Sequence, residues 1–303
     1  MKAKGRKRDR RKNKGIVLAQ FVVYLTGAVT LLMILYIGCL SLFSVSDLTK
    51  SYGGVLNPGV VSQYASFTVI PEHLSITQYR STLWNNSDFW YYFWNSVKIS
   101  LPVTLAVCLT ATCGGYAFAR FRFPGKKALL FLFILFMMIP SQVMIPSQFR
   151  LMYEMGLLNS TVSVILPNVF APFGVYLMYQ YALKLPGDIF EAAAIDGAGE
   201  LRIFFSVVLP DLISGIAALF LLTVIDAWNF IEQPLVFFLD PFRLPLSAAM
   251  NRIGEAHVLS LCAGCIVFMI PVFLVFLLGK DRLVEGIGQS VIKADSSVKG
   301  RKG

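Results

Sequence analysis

The chain has 303 residues, of which 56% are hydrophobic and only 15% charged, with a formal net charge of +10. Water-soluble domains of this size carry about 25% charged residues, so a soluble fold is excluded and much of the apolar surface must face lipid. Nine Lys and Arg fall within residues 1–14, directly before an apolar run. That is the pattern of basic residues held at the inner face of a membrane, and it argues against a nucleic-acid surface.

Cutting the sequence at its charges leaves uncharged stretches at 15–46, 99–119, 128–149, 155–183 and 258–279. Each reaches the roughly 20 residues that cross a bilayer. A sixth stretch, about 212–231, meets Asp226 after 14 uncharged residues, yet has the composition of a helix that hides one acid from lipid. The expected fold is therefore all-α and integral to the membrane, with six transmembrane helices. Alternating sides puts 1–14, 120–127, 184–210 and 280–303 together, and these segments hold 21 of the 27 Lys and Arg. Both termini are expected to be cytoplasmic.

The domains expected in chain order begin with a basic cytoplasmic tail at 1–15 and a first transmembrane helix at 16–46. The first apolar run is about twice as long as a signal-peptide core and lacks a small-x-small cleavage site, so it reads as an uncleaved helix. An extracytoplasmic segment follows at 47–98, too short for a domain with much core. Its run Phe89-Trp-Tyr-Tyr-Phe-Trp94 suits the headgroup layer. Residues 99–283 form a five-helix core with a cytoplasmic insert at 184–210, and 284–303 a second cytoplasmic tail. Pro140, Pro146, Pro167 and Pro172 exceed what smooth helices need. They free carbonyls that require partners in the bundle or in a wet cavity, the plain alternative being ordinary kinks. All five cysteines fall in apolar stretches and read as buried small residues, with no metal site expected. His73 and His257 lie in no His-Glu-x-x-His pattern and no nucleophile elbow is present, which argues against an enzyme.

The insert is the most informative segment. Pro186-Gly187 makes a turn, Asp188 is expected to cap the next helix, and Glu191 three residues on completes a capping box. Ala192, Ala193 and Ala194 keep the helix surface low, and Gly197 with Gly199 permits a sharp reversal. Phe204, Phe205, Val207 and Val208 follow as packing residues, and Leu209-Pro210 leads into the fifth span. On these features alone the insert is either a docking surface or a well-ended connector without a partner.

Glu191-Ala192-Ala193, then Gly197, Val207, Leu209 and Pro210 at fixed distances resemble the EAA motif of ABC importer permeases, with Val207 in place of the usual Ile. Ile195-Asp196-Gly197-Ala198 is similar to the carbohydrate-type permeases. Asn95-Ser96, Tyr116-Ala-Phe-Ala-Arg120, Trp228-Asn229, Pro234-Leu235 and Gly286-Ile-Gly extend the likeness over nearly the whole chain. The resemblance implies a bacterial cytoplasmic-membrane subunit whose insert is a coupling helix seated on an ATPase, with Glu191, Ala192, Ala193, Asp196, Gly197, Leu209 and Pro210 at or near that contact. It implies as partners a homologous second permease, a cytoplasmic ATPase dimer and an extracellular solute-binding protein, with a sugar as cargo. No Gly-x-x-x-x-Gly-Lys-Ser/Thr loop occurs in the chain, so no cofactor is expected here and ATP with Mg belongs on the ATPase.

Within the membrane, Asp226 lies about 21 Å along its helix from Leu212, in a bilayer core of about 30 Å. Asp226, Trp228, Asn229, Glu232 and Gln233 are candidate substrate-path residues, since carboxylates and amides bond sugar hydroxyls and an indole can stack on a sugar face. The alternatives are an interfacial anchor or a contact with the sister subunit. A stand-alone ion-coupled carrier or channel using Asp226 is the competing function. It has only one intramembrane acid to work with, and no use for the insert.

Overall fold

The computed structural model describes residues 2–56, 68, 71–85, 87–250 and 258–300, and every regular element among them is helical. The chain divides into two compact units, one of Met1–Asn86 with Asn251–Val267 and one of Ser87–Met250 with Phe268–Gly303.

The first unit contains α1 (Lys2–Ser41), α2 (Val45–Leu56), α3 (Thr77–Leu83) and the first residues of the final helix. The apolar part of α1, Val17–Ser41, meets the length and hydropathy of a membrane span and buries none of its most apolar stretch. Polar bonds tie the segment after it together. The Ser75 amide donates to the Leu42 carbonyl (2.9 Å), Ser41 Oγ meets the Tyr79 hydroxyl (2.8 Å), and buried Asp47 accepts from the His73 amide (3.3 Å). Lys50 pairs with Glu72 at 3.0 Å, and that carboxylate holds the Lys50 ammonium above its ordinary pKa.

The second unit is organised on α4 (Ser87–Arg120), a second helix that satisfies the length and hydropathy of a span. It starts at Ser87, with Asp88 favourably placed in its first turn, so the aromatic run 89–94 belongs to its opening turns. Phe89 and Tyr92 face inward while Tyr91 and Trp94 are exposed. The helices α5 (Lys126–Met137), α6 (Ser141–Glu154), α7 (Thr161–Asn168) and α8 (Pro172–Ala182) follow. Next come α9 (Asp188–Ile195), α10 (Glu200–Ile203), a π-helical turn Phe204–Val208, α11 (Leu209–Asp211), α12 (Ile213–Trp228) and α13 (Glu232–Phe237). The final helix, α14 (Val258–Gly300), contains the span-like stretch Val258–Lys280.

Three of the six expected spans correspond to bent pairs of helices. The α5–α6 pair turns by 103°, α7–α8 by 41°, and Glu200–Asp211 against α12 by 70°. Each pair has the length and hydropathy of one span when taken together. Proline explains the first two. Pro140 sits between α5 and α6 with an extended ψ of 134°, and Pro172 opens α8 without an N–H to continue the ladder from α7. At the second break the Val169 carbonyl accepts from Thr110 Oγ1 of α4 at 2.8 Å, so a neighbouring helix supplies the partner that the apolar surroundings cannot.

Helix α4 packs most extensively against α8 and α12. A Cβ on Gly115 would lie 2.6 Å from both Met178 Cβ and the Tyr179 amide nitrogen of α8. Only glycine allows this approach, which is how helices gain close packing where lipid offers no hydrophobic drive to associate. Ile99, Val103, Val107 and Ala111 of α4 are buried along the same side of the unit.

Candidate functional site

The insert forms a braced double turn. The first helical residue of α9 is Asp188, and Gly187 occupies the N-cap position without any side-chain capping bond. The expected capping box is therefore absent: Asp188 sits one position too late to cap, and Glu191 has no capping carboxylate opposite it. Both acids instead lie in the first turn, where the helix dipole favours negative charge. The helix ends as expected at Gly197, whose φ of 75° is the left-handed conformation that glycine adopts without penalty. Its amide donates to the Ala194 carbonyl (3.0 Å) and the Ala198 amide to the Ala193 carbonyl (3.0 Å), the paired bonds of a Schellman ending. Gly199 has an ordinary φ of −70° and takes no part in the reversal. The π-helical turn directly precedes Leu209-Pro210, where proline removes one backbone donor and the turn widens.

One face of the insert packs on its own unit. Phe190, Ile203, Phe204 and Val208 are buried, whereas Phe205, also expected to pack, is 62% exposed. The end of α4 grips this face. Tyr116 lies against the rings of Phe190 and Phe204 (centroids 6.5 and 5.1 Å), and the Arg120 guanidinium sits 4.6 Å above the Phe190 ring. Glu200 closes the clamp, receiving the Tyr116 hydroxyl at 3.3 Å and Arg120 Nη2 at 3.5 Å. Glu191, Ala192, Asp196 and Gly197 are on the exposed side, Ala193 and Leu209 are half-buried, and Pro210 is exposed. With them stand two large apolar side chains, Ile195 (86% exposed) and Leu201 (77%). Exposed apolar side chains on a segment that also carries carboxylates are open to contact with another surface.

The second feature is a cavity of about 590 Å3 in the same unit. From α12 it receives Leu219, Leu222, Thr223 and Asp226, with Asn229 and Phe230 just beyond the helix end. This is the i, i+3, i+4 stripe of one helix face. Val103 and Val107 of α4 form part of the apolar lining. The break at Pro140 delivers Gln142 and Gln148 on α6, α7 adds Asn168, and α13 adds Glu232 and Gln233. Gln142 Nε2 donates to Glu232 Oε1 at 3.4 Å. Asp226 is exposed into this space, which is how an acid within an apolar helix avoids lipid.

Four of the five candidate path residues, Asp226, Asn229, Glu232 and Gln233, thus line one cavity. Trp228 does not. Its side chain is only 4% exposed, packed against Phe93 and Phe268 at centroid distances of 5.7 Å, with Nε1 donating to the Phe268 carbonyl at 3.1 Å. Two residues past Asp226 on a helix is the opposite face, so the indole turns into the packing. Gln142, Gln148 and Asn168 were absent from the sequence-based set, although amides near prolines inside uncharged stretches were a readable signal.

Residues 111–289 match the model of the family described as "Binding-protein-dependent transport system inner membrane component". The chain is 32% identical over 209 residues to the arabinooligosaccharides transport system permease protein AraQ of Halalkalibacterium halodurans, covering 68% of this chain and 75% of that protein. It is 31% identical over 268 residues to the galactooligosaccharides transport system permease protein GanQ of Bacillus subtilis, covering 84% and 92%. A crystal structure of a bacterial ABC transporter involved in import of the acidic polysaccharide alginate contains a chain of the same fold. It matches with a TM-score of 0.70 and 21% identity, over 88% of this chain and 95% of that one.

Proposed function

The chain belongs to the family of binding-protein-dependent transport system inner membrane components, and we propose that it is the permease subunit of an ATP-driven ABC importer moving a sugar or oligosaccharide across the bacterial cytoplasmic membrane. Its relatives are permeases for arabinooligosaccharides and galactooligosaccharides, which supports the cargo class. The three long apolar helices and three bent pairs support six spans, and the basic segments support cytoplasmic termini. A homologous permease, an ATPase dimer and an extracellular solute-binding protein complete the machine. ATP and Mg bind on the ATPase, and this chain needs no cofactor of its own.

The observation that carries the mechanism is the exposed apolar face of the insert, Ile195 and Leu201 beside Glu191 and Asp196, on a segment clamped from behind. That face docks in a cleft of the ATPase. When the ATPase subunits close, the insert moves as a rigid body. The clamp passes this motion to α4, whose Val107 lies about 20 Å from Arg120 by the helical rise. Val103 and Val107 line the cavity, and α4 packs on α8 and α12, so displacement of its cytoplasmic end reshapes the cavity walls. The cavity faces outward in one state and inward in the other.

Reconstitution with all partners in proteoliposomes tests the reading. Uptake of a labelled arabinooligosaccharide or galactooligosaccharide is expected to require ATP and the ATPase. Glu191→Lys is expected to abolish uptake while the variant still inserts and assembles with its sister permease. Normal transport in the absence of the ATPase contradicts the proposal.

A further inference from the structure

The amide groups of the cavity form a bonded series whose direction is fixed at one end. Asn168 Nδ2 donates to the Val164 carbonyl at 2.7 Å. A backbone carbonyl only accepts, so the Asn168 amide cannot turn its oxygen that way. The same nitrogen donates to Gln233 Oε1 at 2.8 Å, using its second hydrogen. Gln233 must then present its nitrogen onward, and Nε2 donates to Gln148 Oε1 at 3.0 Å. Gln233 is 9% exposed, so reversing it would set oxygen against oxygen and nitrogen against nitrogen out of reach of bulk water. The series leaves Gln148, a cavity-lining residue, with its oxygen engaged and its NH2 available as a donor.

Asp226 and Glu232 offer carboxylate acceptors, and among the described lining residues there is no Lys, Arg or His. Phe173 and Phe230 add apolar ring surface. A donor, carboxylate acceptors and aromatic surface lining one cavity match a sugar, whose hydroxyls both give and take hydrogen bonds and whose ring has an apolar C–H face. A carboxylate or phosphate on the ligand would meet two carboxylates without a compensating cation.

Resting on the transport reading of this cavity, we infer that it selects uncharged glycosides over anionic ones. Asp226 and Glu232 reject negative charge, Gln148 donates to the ligand, and Asn168 with Gln233 are positioning residues that fix the direction of that donor.

The test uses the assembled transporter in nanodiscs, without ATP and without the solute-binding protein, so that only the transmembrane cavity is probed. Binding is measured for a neutral glucose disaccharide and for its glucuronate counterpart. The neutral ligand is expected to bind at least about tenfold more tightly than the acid, the order of discrimination that unpaired or like-charged groups produce. Asp226→Asn with Glu232→Gln should shrink that ratio to within about threefold, a change that general damage to the fold would not cause because it weakens both ligands in parallel. Gln148→Glu keeps the acceptor for Gln233 but removes the donor, and should both weaken the neutral ligand and widen the ratio. Asn168→Ala and Gln148→Ala should each weaken the neutral ligand, and together no more than Gln148→Ala alone. Equal or tighter binding of the glucuronate form overturns the selectivity, and additive losses overturn the positioning role. If no disaccharide of any charge binds, the transport reading of the cavity falls as well.

Discussion

Replacing Arg120 with methionine keeps most of the side-chain volume at the end of α4 but removes the cation that grips the insert. Two interactions disappear. The ion pair with Glu200, 3.5 Å long and with side chains 34% and 51% exposed, is of the kind worth about 0.2–1 kcal/mol after solvent screening. The guanidinium 4.6 Å above the Phe190 ring contributes about 0.5–1 kcal/mol at an exposed site. Together the loss is about 1–2 kcal/mol, or a factor of about 5–30 in the equilibrium between a clamped and a released insert. Buried Phe190, Ile203, Phe204 and Val208 still hold the segment, so the variant is expected to fold and insert. Amide hydrogen exchange on the assembled complex reads the effect directly. Amides of α9 and α10 should exchange about 5–30-fold faster, with those of α8 and α12 unchanged. ATP-driven uptake should fall while the ATPase continues to turn over, because closure is no longer fully passed to α4. Unchanged exchange in α9 would refute the clamp, and unchanged uptake beside faster exchange would refute its role in transmission.

Other substitutions probe separate links. Gly197→Val places a β-branched residue at a φ of 75° and is expected to destabilise the end of α9 by at least about 1–2 kcal/mol, seen as faster exchange of the Gly197 and Ala198 positions and reduced coupling. Gly115→Ala sets a methyl 2.6 Å from the α8 backbone, so α4 and α8 must separate. A stability loss of about 1–3 kcal/mol should appear as a lower Tm in detergent. Trp228→Phe preserves the aromatic packing and removes only the bond to the Phe268 carbonyl, so stability should drop by about 0.5–1.5 kcal/mol with the KM for transport unchanged. A large KM change would mean that the indole meets the cargo after all.

What the sequence made legible depended on how local the cause was. The reversal at Gly197 was readable because a left-handed residue and its two flanking bonds lie within six positions. The capping box was misread for a similarly local reason. Shifting the helix start by one residue moves Asp188 from cap to first turn, and a pattern of residue types does not resolve a single position. The cavity stripe on α12 was half legible: Asp226 and Asn229 share a helix face, and the same spacing already turned Trp228 away from it. The clamp was not legible, since Arg120 and Glu200 are 80 residues apart and each is unremarkable alone. Nor was the amide series, in which Asn168 and Gln233 are separated by 65 residues and lie on different helices. Long-range pairing of this kind follows from tertiary packing, and periodicity carries no record of it.

If an ATPase drives this chain, the exposed face of the insert is where it docks. A photo-reactive amino acid at Ile195, 86% exposed and outside the clamp, tests it in intact cells expressing the whole transporter. A crosslink to the ATPase subunit is expected, with a yield that changes when ATP hydrolysis is arrested. Crosslinks confined to lipid or to the sister permease, with transport intact, would contradict it.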